Sequence, residues 1–287
     1  MVASNPSRPA SYPPALALIS GKGGVGRSSL ALNLALSIGA LEQRVLLVDA
    51  DPNPGHLALL AGYELPESFL PLGITQTLAL SESVDLLQFH AATEDTRCQP
   101  LHIDGEALSA FESRYDIIIA DTGSGIAASA QAAARAADAS WVVITPELTA
   151  VADGYATAKS LLCFEPATRL GCLVNAAEDE EEAEDLHHGF ADLLDRFLEA
   201  KIDNRGYIPF DRTVRDAAKS QSPFCLAKPS TQAALAVAAL ASELTERHPI
   251  VTLPRHRAYL EGIADFVSAS PDGSLAMRQA QEPSLIV

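Results

Sequence analysis

A glycine-rich segment between an apolar run and a helical pattern constrains this chain most. Residues 21–29 read Gly-Lys-Gly-Gly-Val-Gly-Arg-Ser-Ser, follow the apolar run 15–20 and precede leucines at 30, 32, 34 and 36. Glycines let successive backbone N–H groups converge on an anion, and the N-terminus of the next helix adds its positive end. The strand, loop and helix order predicts a phosphate-binding loop for a triphosphate, with Ser28 as a Mg²⁺ ligand; a glycine-rich turn without a ligand is the alternative.

Short apolar runs alternate with helix-like segments along the rest of the chain. We predict strands at 15–20, 44–49, 84–89, 115–121, 140–145, 169–175 and 205–209, and helices at 28–39, 126–137, 149–164, 183–200, 213–220 and 231–247. Parallel strands need such crossover helices, and strands buried on both faces read as continuous apolar runs. The pattern predicts an α/β fold: a P-loop NTPase-like three-layer sandwich with a mostly parallel buried sheet flanked by helices.

The length and composition predict one globular domain with tails, and the glycine-rich loop places nucleotide binding in that domain. Hydrophobic residues make up 48% of the chain and charged residues 20%, enough for a sizeable core. We assign residues 1–14 to a flexible proline-rich arm, 15–247 to the domain and 248–287 to a C-terminal tail with one possible amphipathic helix. The four cysteines, at 98, 163, 172 and 225, lack metal-ligand spacing, so we expect them reduced, mostly buried and in the cytoplasm.

The net charge of −17 argues against nucleic acid and anionic membranes as main partners. In the tail, an apolar face is expected from Tyr259, Leu260, Ile263, Phe266 and Val267. This face either docks on the domain or makes weak, transient membrane contact at most. Residues 178–185 hold seven acidic side chains, which we interpret as a solvated helix start, and the two histidines that follow are expected at the surface.

Three aspartates end apolar runs: Asp49 and Asp51 follow one, and Asp121 follows another. Because α/β sheets bind ligands at the carboxyl ends of their strands, these carboxylates are expected beside the loop. With Lys22, the segments 45–51 and 116–123 resemble the MinD/ParA family of deviant-Walker-A ATPases, which carries an extra lysine after the first glycine of the loop.

The resemblance implies a nucleotide-dependent homodimer in which Lys22 reaches the phosphates of the partner. It implies ATP or ADP with Mg²⁺ in the loop, bound by Gly21, Gly23, Gly24, Val25, Gly26, Arg27, Ser28 and Ser29. Asp51 would position the attacking water, Asp49 and Asp121 would hold the magnesium shell with Ser28, and Gly123 would sense the γ-phosphate. Asn175, Pro209 and Asp211 would flank the base and favour adenine, with a capping or loop role as the alternative.

Segments 121–126, 145–147 and 206–211 resemble the FlhG/FleN branch, the MinD-like regulators of flagellar number and placement. The resemblance implies an ATP-dependent dimerising switch that regulates flagella or another cell-surface machine, with recruitment to the pole or membrane surface in the ATP state. Its protein partner would be a flagellar regulator or an SRP-type GTPase.

The chain departs from the family pattern at Arg27, where the family carries the P-loop lysine. Arginine is longer, planar and forked, so we expect slow or lost hydrolysis. A pseudo-ATPase scaffold is therefore one alternative, although an arginine could still reach the phosphates if the loop shifts. A ParA-like DNA segregation ATPase and a metabolic P-loop enzyme are the others; the acidic charge disfavours the first.

Overall fold

The computed structural model describes residues 12–51, 56–63, 77–88, 105–247 and 257–268. Within these ranges the chain forms eight strands and ten helices. The strands are β1 (Ala15–Ser20), β2 (Val45–Ala50), β3 (Leu78–Ala79), β4 (Val84–Gln88), β5 (Ile117–Ser124), β6 (Ala139–Ile144), β7 (Leu170–Ala177) and β8 (Ile202–Pro209). The helices are α1 (Arg27–Gly39), α2 (His56–Leu60), α3 (Gly105–Glu112), α4 (Ala128–Ala136), α5 (Leu148–Phe164), α6 (Glu180–Leu198), α7 (Arg212–Lys219), α8 (Phe224–Ala227), α9 (Gln232–Arg247) and α10 (Tyr259–Ser268).

The strands form one sheet in the order β3-β4-β2-β5-β1-β6-β7-β8. All neighbouring strands are parallel except β3, which pairs antiparallel with β4. Strand β1 lies inside the sheet, with Leu18 aligned with Asp121 on one side and Trp141 on the other. The predicted fold class, a mostly parallel sheet flanked by helices, is confirmed.

Both faces of the sheet are covered by helices. On β1, Leu16 and Leu18 pack into a cluster with α1 and α9. Ala17 and Ile19 point the other way, into a cluster with α4, α5 and α6. Because successive side chains of a strand point to opposite faces, a strand between two helical layers is apolar throughout. The central strands are for this reason apparent in the sequence.

Four short elements differ from the sequence prediction, which did not include β3, α2, α3 or α8. Each has eight residues or fewer, too few to repeat a periodic pattern. Strand β8 also begins at Ile202, three residues before the predicted start, because exposed Asp203 and Asn204 interrupt its apolar pattern at the sheet edge. Residues 1–11, the two prolines after Asp51 and Cys98 lie outside the described residues.

Helix α10 of the tail docks on the domain. Tyr259, Leu260 and Ile263 are fully buried, and the Tyr259 hydroxyl donates to the carbonyl of Ala133 at 3.0 Å. The buried Glu112 carboxylate accepts the backbone N–H groups of Tyr259 and Leu260 at 2.9 and 2.7 Å. These contacts support the docking alternative; the side chains of Phe266 and Val267 lie outside the described part. Among the described helices, none combines the length and the hydropathy of a membrane-spanning segment.

Helix α6 corrects one expectation about the histidines. His188 is exposed as expected, but His187 is buried. It lies on the buried face of α6 with Ala183, Phe190 and Leu194, because residues spaced by three and four share one side of a helix. The acidic start is confirmed, since the Asp179 carboxylate caps the helix by accepting from the backbone N–H of Glu182. Of the described cysteines, Cys172 is buried, Cys225 half-buried and Cys163 exposed, and all three are free.

Candidate nucleotide-binding site

The loop between β1 and α1 has a curvature that requires glycine at two positions. Gly24 and Gly26 have φ angles of 84° and 86°, a left-handed conformation that other residues rarely adopt. A Cβ on Gly26 would also lie 2.4 Å from the side-chain nitrogen of Asn175. At Gly23 and Gly24 an added Cβ would meet no atom of the described residues within 4 Å, so the outer face of the loop has room for a ligand.

Neighbouring elements hold the loop in place. Gly21 packs against α5, where an added Cβ would lie 2.0 Å from the carbonyl of Asp153. From the end of β7, the Asn175 side-chain amide donates to the carbonyl of Val25 at 2.7 Å. The predicted phosphate-binding residues therefore belong to a loop whose shape is fixed by packing, and a preorganised loop loses less entropy on binding.

Three predicted carboxylates come together beside this loop. Asp49 on β2 and Asp121 on β5 are aligned residues of neighbouring parallel strands, and both are buried. Asp51 follows β2, and its backbone N–H donates to Asp49 Oδ1 at 3.2 Å. The cluster lies at the carboxyl ends of the strands, where open α/β sheets bind their ligands.

Arg27 extends from the first turn of α1 into the carboxylate cluster. Its Nε donates to Asp121 Oδ1 at 2.5 Å and its Nη1 to Ser20 Oγ at 2.9 Å, and its Nη2 lies 3.4 Å from Asp51 Oδ2. The Arg27 side chain is only 7% exposed and that of Asp121 only 1%. A guanidinium fork can bind three partners in different directions, which the compact ammonium of a lysine cannot do in the same way.

The pKa of Asp121 is raised because burial disfavours its ionised form. The charge of Arg27 and hydrogen bonds from Ser28 and Arg27 act in the opposite direction, whereas the charge of Asp51 adds to the increase. Burial has the largest effect, and the charge of Arg27 is the strongest of the influences that favour the ionised form.

The oxygen donors of this cluster suit Mg²⁺. Ser28, which hydrogen-bonds to Asp121, and the two aligned aspartates offer the hydroxyl and carboxylate oxygens that this hard cation prefers. In the described part of the chain, no group of three or more His, Cys, Asp or Glu side chains could hold a metal ion alone. Mg²⁺ does not need such a cage, because one or two carboxylates, waters and nucleotide phosphates complete its shell. The residues therefore fit a metal that arrives with a nucleotide.

Lys22 lies at the rim of the site. Its Nζ is 2.5 Å from Glu147 Oε2 and 3.2 Å from Thr149 Oγ1, both at the start of α5. The side chain of Lys22 is 40% exposed. Two large apolar side chains are also exposed at this end of the sheet: Leu148, the first residue of α5, which is 84% exposed, and Ile126 in the loop before α4. Lys22 thus contacts the start of α5 at an exposed edge of the site.

The residues after Asp121 are attached to the end of β1. The Thr122 hydroxyl donates to the carbonyl of Leu18 at 2.9 Å, and the backbone N–H of Gly125 donates to the carbonyl of Ser20 at 2.8 Å. Gly123 lies between these attachments and is buried. The end of β1, where the glycine-rich loop begins, is therefore hydrogen-bonded to the segment that leads into α4.

The residues assigned to the base have structural roles of their own. Asn175 fixes the phosphate loop through the carbonyl of Val25. Pro209 ends β8 opposite Ala177. Asp211 caps α7 by accepting from Thr213 Oγ1 and Thr213 N at 2.6 and 2.8 Å, and these hydrogen bonds lower the pKa of Asp211. Capping and loop contacts are thus present at Asp211 and Asn175, and a role at the base stays a prediction.

The sequence interpretation missed three polar residues near the site: Ser20, Gln88 and Thr149. Ser20 binds Arg27 and also donates to the carbonyl of Lys22 at 3.1 Å. Gln88 ends β4 in register with Asp49, and its amide has no hydrogen-bond partner among the described residues. Gln88 could have been identified from the sequence, because it lies at the carboxyl end of a predicted strand.

Comparison with known proteins identifies the class. Residues 16–224 match the family model of the CobQ/CobB/MinD/ParA nucleotide binding domain. The chain belongs to this family, which includes the MinD/ParA ATPases, and the predicted family membership is confirmed.

Among relatives, the chain is 30% identical over 250 residues to the antiactivator FleN of Pseudomonas aeruginosa, covering 84% of this chain and 89% of FleN. It is 32% identical over 160 residues to the flagellum site-determining protein YlxH of Helicobacter pylori, covering 50% and 52% of the two chains. The fold is similar to that of the septum site-determining protein MinD of Pyrococcus horikoshii, solved with Mg-ADP, with a TM-score of 0.63 and 21% identity over 84% of this chain and 99% of that one.

Proposed function

We propose that this chain is an ATP-dependent switch that dimerises around bound nucleotide and regulates the number or placement of flagella or another cell-surface machine. The observation that carries the proposal is the position of Lys22. Its ammonium extends to Glu147 and Thr149 at an exposed rim. A cation held there by an exposed ion pair can exchange that partner for the phosphates of a second copy, because exposed ion pairs contribute little stability.

The proposed mechanism assigns one role to each group. The loop N–H groups and the N-terminus of α1 bind the phosphates of ATP. Ser28, Asp49 and Asp121 would hold Mg²⁺, which neutralises phosphate charge. Asp51 orients the attacking water, and Gly123 reports the γ-phosphate to the segment before α4.

Dimerisation would change the surface at α5. Lys22 leaves Glu147 when it reaches the phosphates of the partner copy, and Glu147 immediately precedes α5. This end of α5 then differs between the monomer and the dimer. A flagellar regulator or an SRP-type GTPase that binds only the dimer would recognise this difference, which supports a switch controlled by ATP.

The flagellar branch is supported by the similarity to FleN and YlxH, the second of which is named for determining the flagellum site. The proposed location is the cytoplasm, with recruitment to the pole or membrane surface in the ATP state. Burial of Tyr259, Leu260 and Ile263 supports weak or transient membrane contact at most.

A pseudo-ATPase scaffold is the second candidate, and Arg27 favours it. The guanidinium is committed to Asp121 and contacts Asp51, two residues that the mechanism needs for metal and water. Such a protein would bind ATP and dimerise but turn over slowly. Both candidate proteins would dimerise in ATP, but they would differ in the rate at which they release phosphate.

Light scattering with size-exclusion chromatography tests the shared step. ATP with Mg²⁺ should convert the monomer into a dimer, and ADP should not. Lys22→Ala should stay monomeric in ATP. Lys201→Ala is the matched control, since Lys201 is exposed just before β8, at the opposite end of that strand from the site. ATP-dependent dimerisation of Lys22→Ala equal to that of the control would overturn the proposal.

A further inference from the structure

We propose that Arg27 takes over part of the charge-neutralising role of Mg²⁺ at Asp121, so that this chain binds ADP with little dependence on the metal. The inference rests on the proposed nucleotide switch. It concerns how the site balances charge, which the general P-loop pattern does not determine.

The position beside Asp121 already contains a cation. Arg27 Nε lies 2.5 Å from Asp121 Oδ1, inside the protein, and Arg27 Nη2 approaches Asp51 as well. Charge-assisted hydrogen bonds of this kind are short and strong. A hydrated Mg²⁺ that uses the Asp121 carboxylate must compete with a guanidinium that is covalently attached to the adjacent helix. The gain from adding the metal is therefore smaller than in a site whose carboxylate is open.

The guanidinium also has donors left for a ligand. It carries five N–H groups, and one on each nitrogen is directed at Asp121, Ser20 or Asp51. In the proposal, the remaining N–H groups of the two terminal nitrogens donate to phosphate oxygens. Arg27 is also the first residue of α1, directly after the glycine loop. It would therefore place one positive charge between the phosphates and the carboxylates, which is the charge neutralisation that Mg²⁺ would otherwise supply there.

Lysine at this position would distribute the same charge differently. Its single ammonium cannot hold Asp121, Ser20 and a phosphate through a planar fork. Once it contacts the phosphates, Asp121 becomes available to the metal. The Arg27→Lys variant should therefore regain a strong dependence on Mg²⁺ without any change in net charge.

Isothermal titration of ADP into the full chain, in Mg²⁺ and in EDTA, tests the proposal. The Kd of the wild type should differ by less than about threefold between the two buffers, and that of Arg27→Lys should be at least about tenfold weaker in EDTA. Arg44→Lys is the matched control, because Arg44 forms an exposed pair with Asp116 away from the loop. It should behave as the wild type does.

Asp121→Asn provides a second variant. If Asp121 mainly holds Arg27, its neutralisation releases the guanidinium for the phosphates, and ADP should bind in EDTA at least as tightly as to the wild type. Weaker binding in EDTA would contradict the proposal. The wild-type titration and this variant decide the question even if Arg27→Lys does not fold.

The outcomes separate this inference from the proposed function. A wild type that loses as much affinity in EDTA as Arg27→Lys overturns the role of Arg27 and leaves the nucleotide switch standing. A wild type that binds no ADP in either buffer overturns the switch, and the inference with it.

Discussion

Replacing Arg27 by methionine tests the buried ion pair through protein stability. The change keeps an apolar stem of similar shape and removes the guanidinium, which leaves the Asp121 carboxylate inside the protein without this partner. Removing one member of a buried pair typically costs about 3–5 kcal/mol, because the other charge stays buried. We expect a loss of about 3 kcal/mol in the free energy of unfolding near pH 7, at the low end because the methionine stem still packs.

The loss of unfolding free energy caused by Arg27→Met should increase with pH. The folded-state pKa of Asp121 is already raised by burial, so its contribution to stability is greatest below the unfolded pKa and falls as the pH rises through the folded pKa. Arg27 lowers that folded pKa, and its removal raises the pKa further. The penalty of Arg27→Met should therefore be smaller near pH 5 than near pH 7, where the folded variant must either bury an ionised Asp121 without Arg27 or take up a proton that the unfolded chain does not hold.

Urea denaturation at both pH values provides the measurement. Arg44→Met is the control, because the Arg44 side chain is 57% exposed and its pair with Asp116 spans 3.4 Å. It should cost about 0.5 kcal/mol or less. The double variant Arg27→Met, Asp121→Leu should recover most of the loss, since an apolar pair leaves no buried charge. The reasoning is refuted if Arg27→Met costs no more than Arg44→Met near pH 7, or if its cost grows on acidification.

Three further predictions concern catalysis, the tail and a buried histidine. Arg27→Lys should raise ATP turnover at least about tenfold in a phosphate-release assay, and unchanged turnover would show that arginine is a working substitute. Glu112→Ala should destabilise the docking of α10 by about 1–2 kcal/mol, because the backbone N–H groups of Tyr259 and Leu260 lose their acceptor. Hydrogen exchange at residues 257–268 should then become faster, and unchanged exchange would contradict the capping role of Glu112. Burial, and secondarily the charge of His188, lowers the pKa of His187, so the free energy of unfolding should fall as the pH drops below the ordinary histidine pKa. His187→Phe should weaken this pH dependence more than the control His188→Phe does, because His188 is exposed. Urea denaturation at several pH values would show the difference.

Local sequence patterns determined the fold class and the place of the site. The glycine loop between an apolar run and a helix is a contiguous signal, and Gly24 and Gly26 do adopt the backbone angles that only glycine tolerates well. The sequence alone places Asp49 and Asp121 together, because the carboxyl ends of parallel strands meet at one edge of a sheet. Their register confirms that expectation.

Tertiary structure decided where the side chains of those residues go. The sequence placed Arg27 in the loop, but only packing directs its guanidinium to Asp121 and Ser20, from strands on other parts of the chain. The contact of Lys22 with Glu147 joins residues 125 positions apart, and Glu112 meets the N-terminus of α10 across 147 positions. The periodicity of apolar residues predicts which face of one helix or strand is buried. These contacts depend instead on which distant element covers that face, and the packing of the whole sheet determines this.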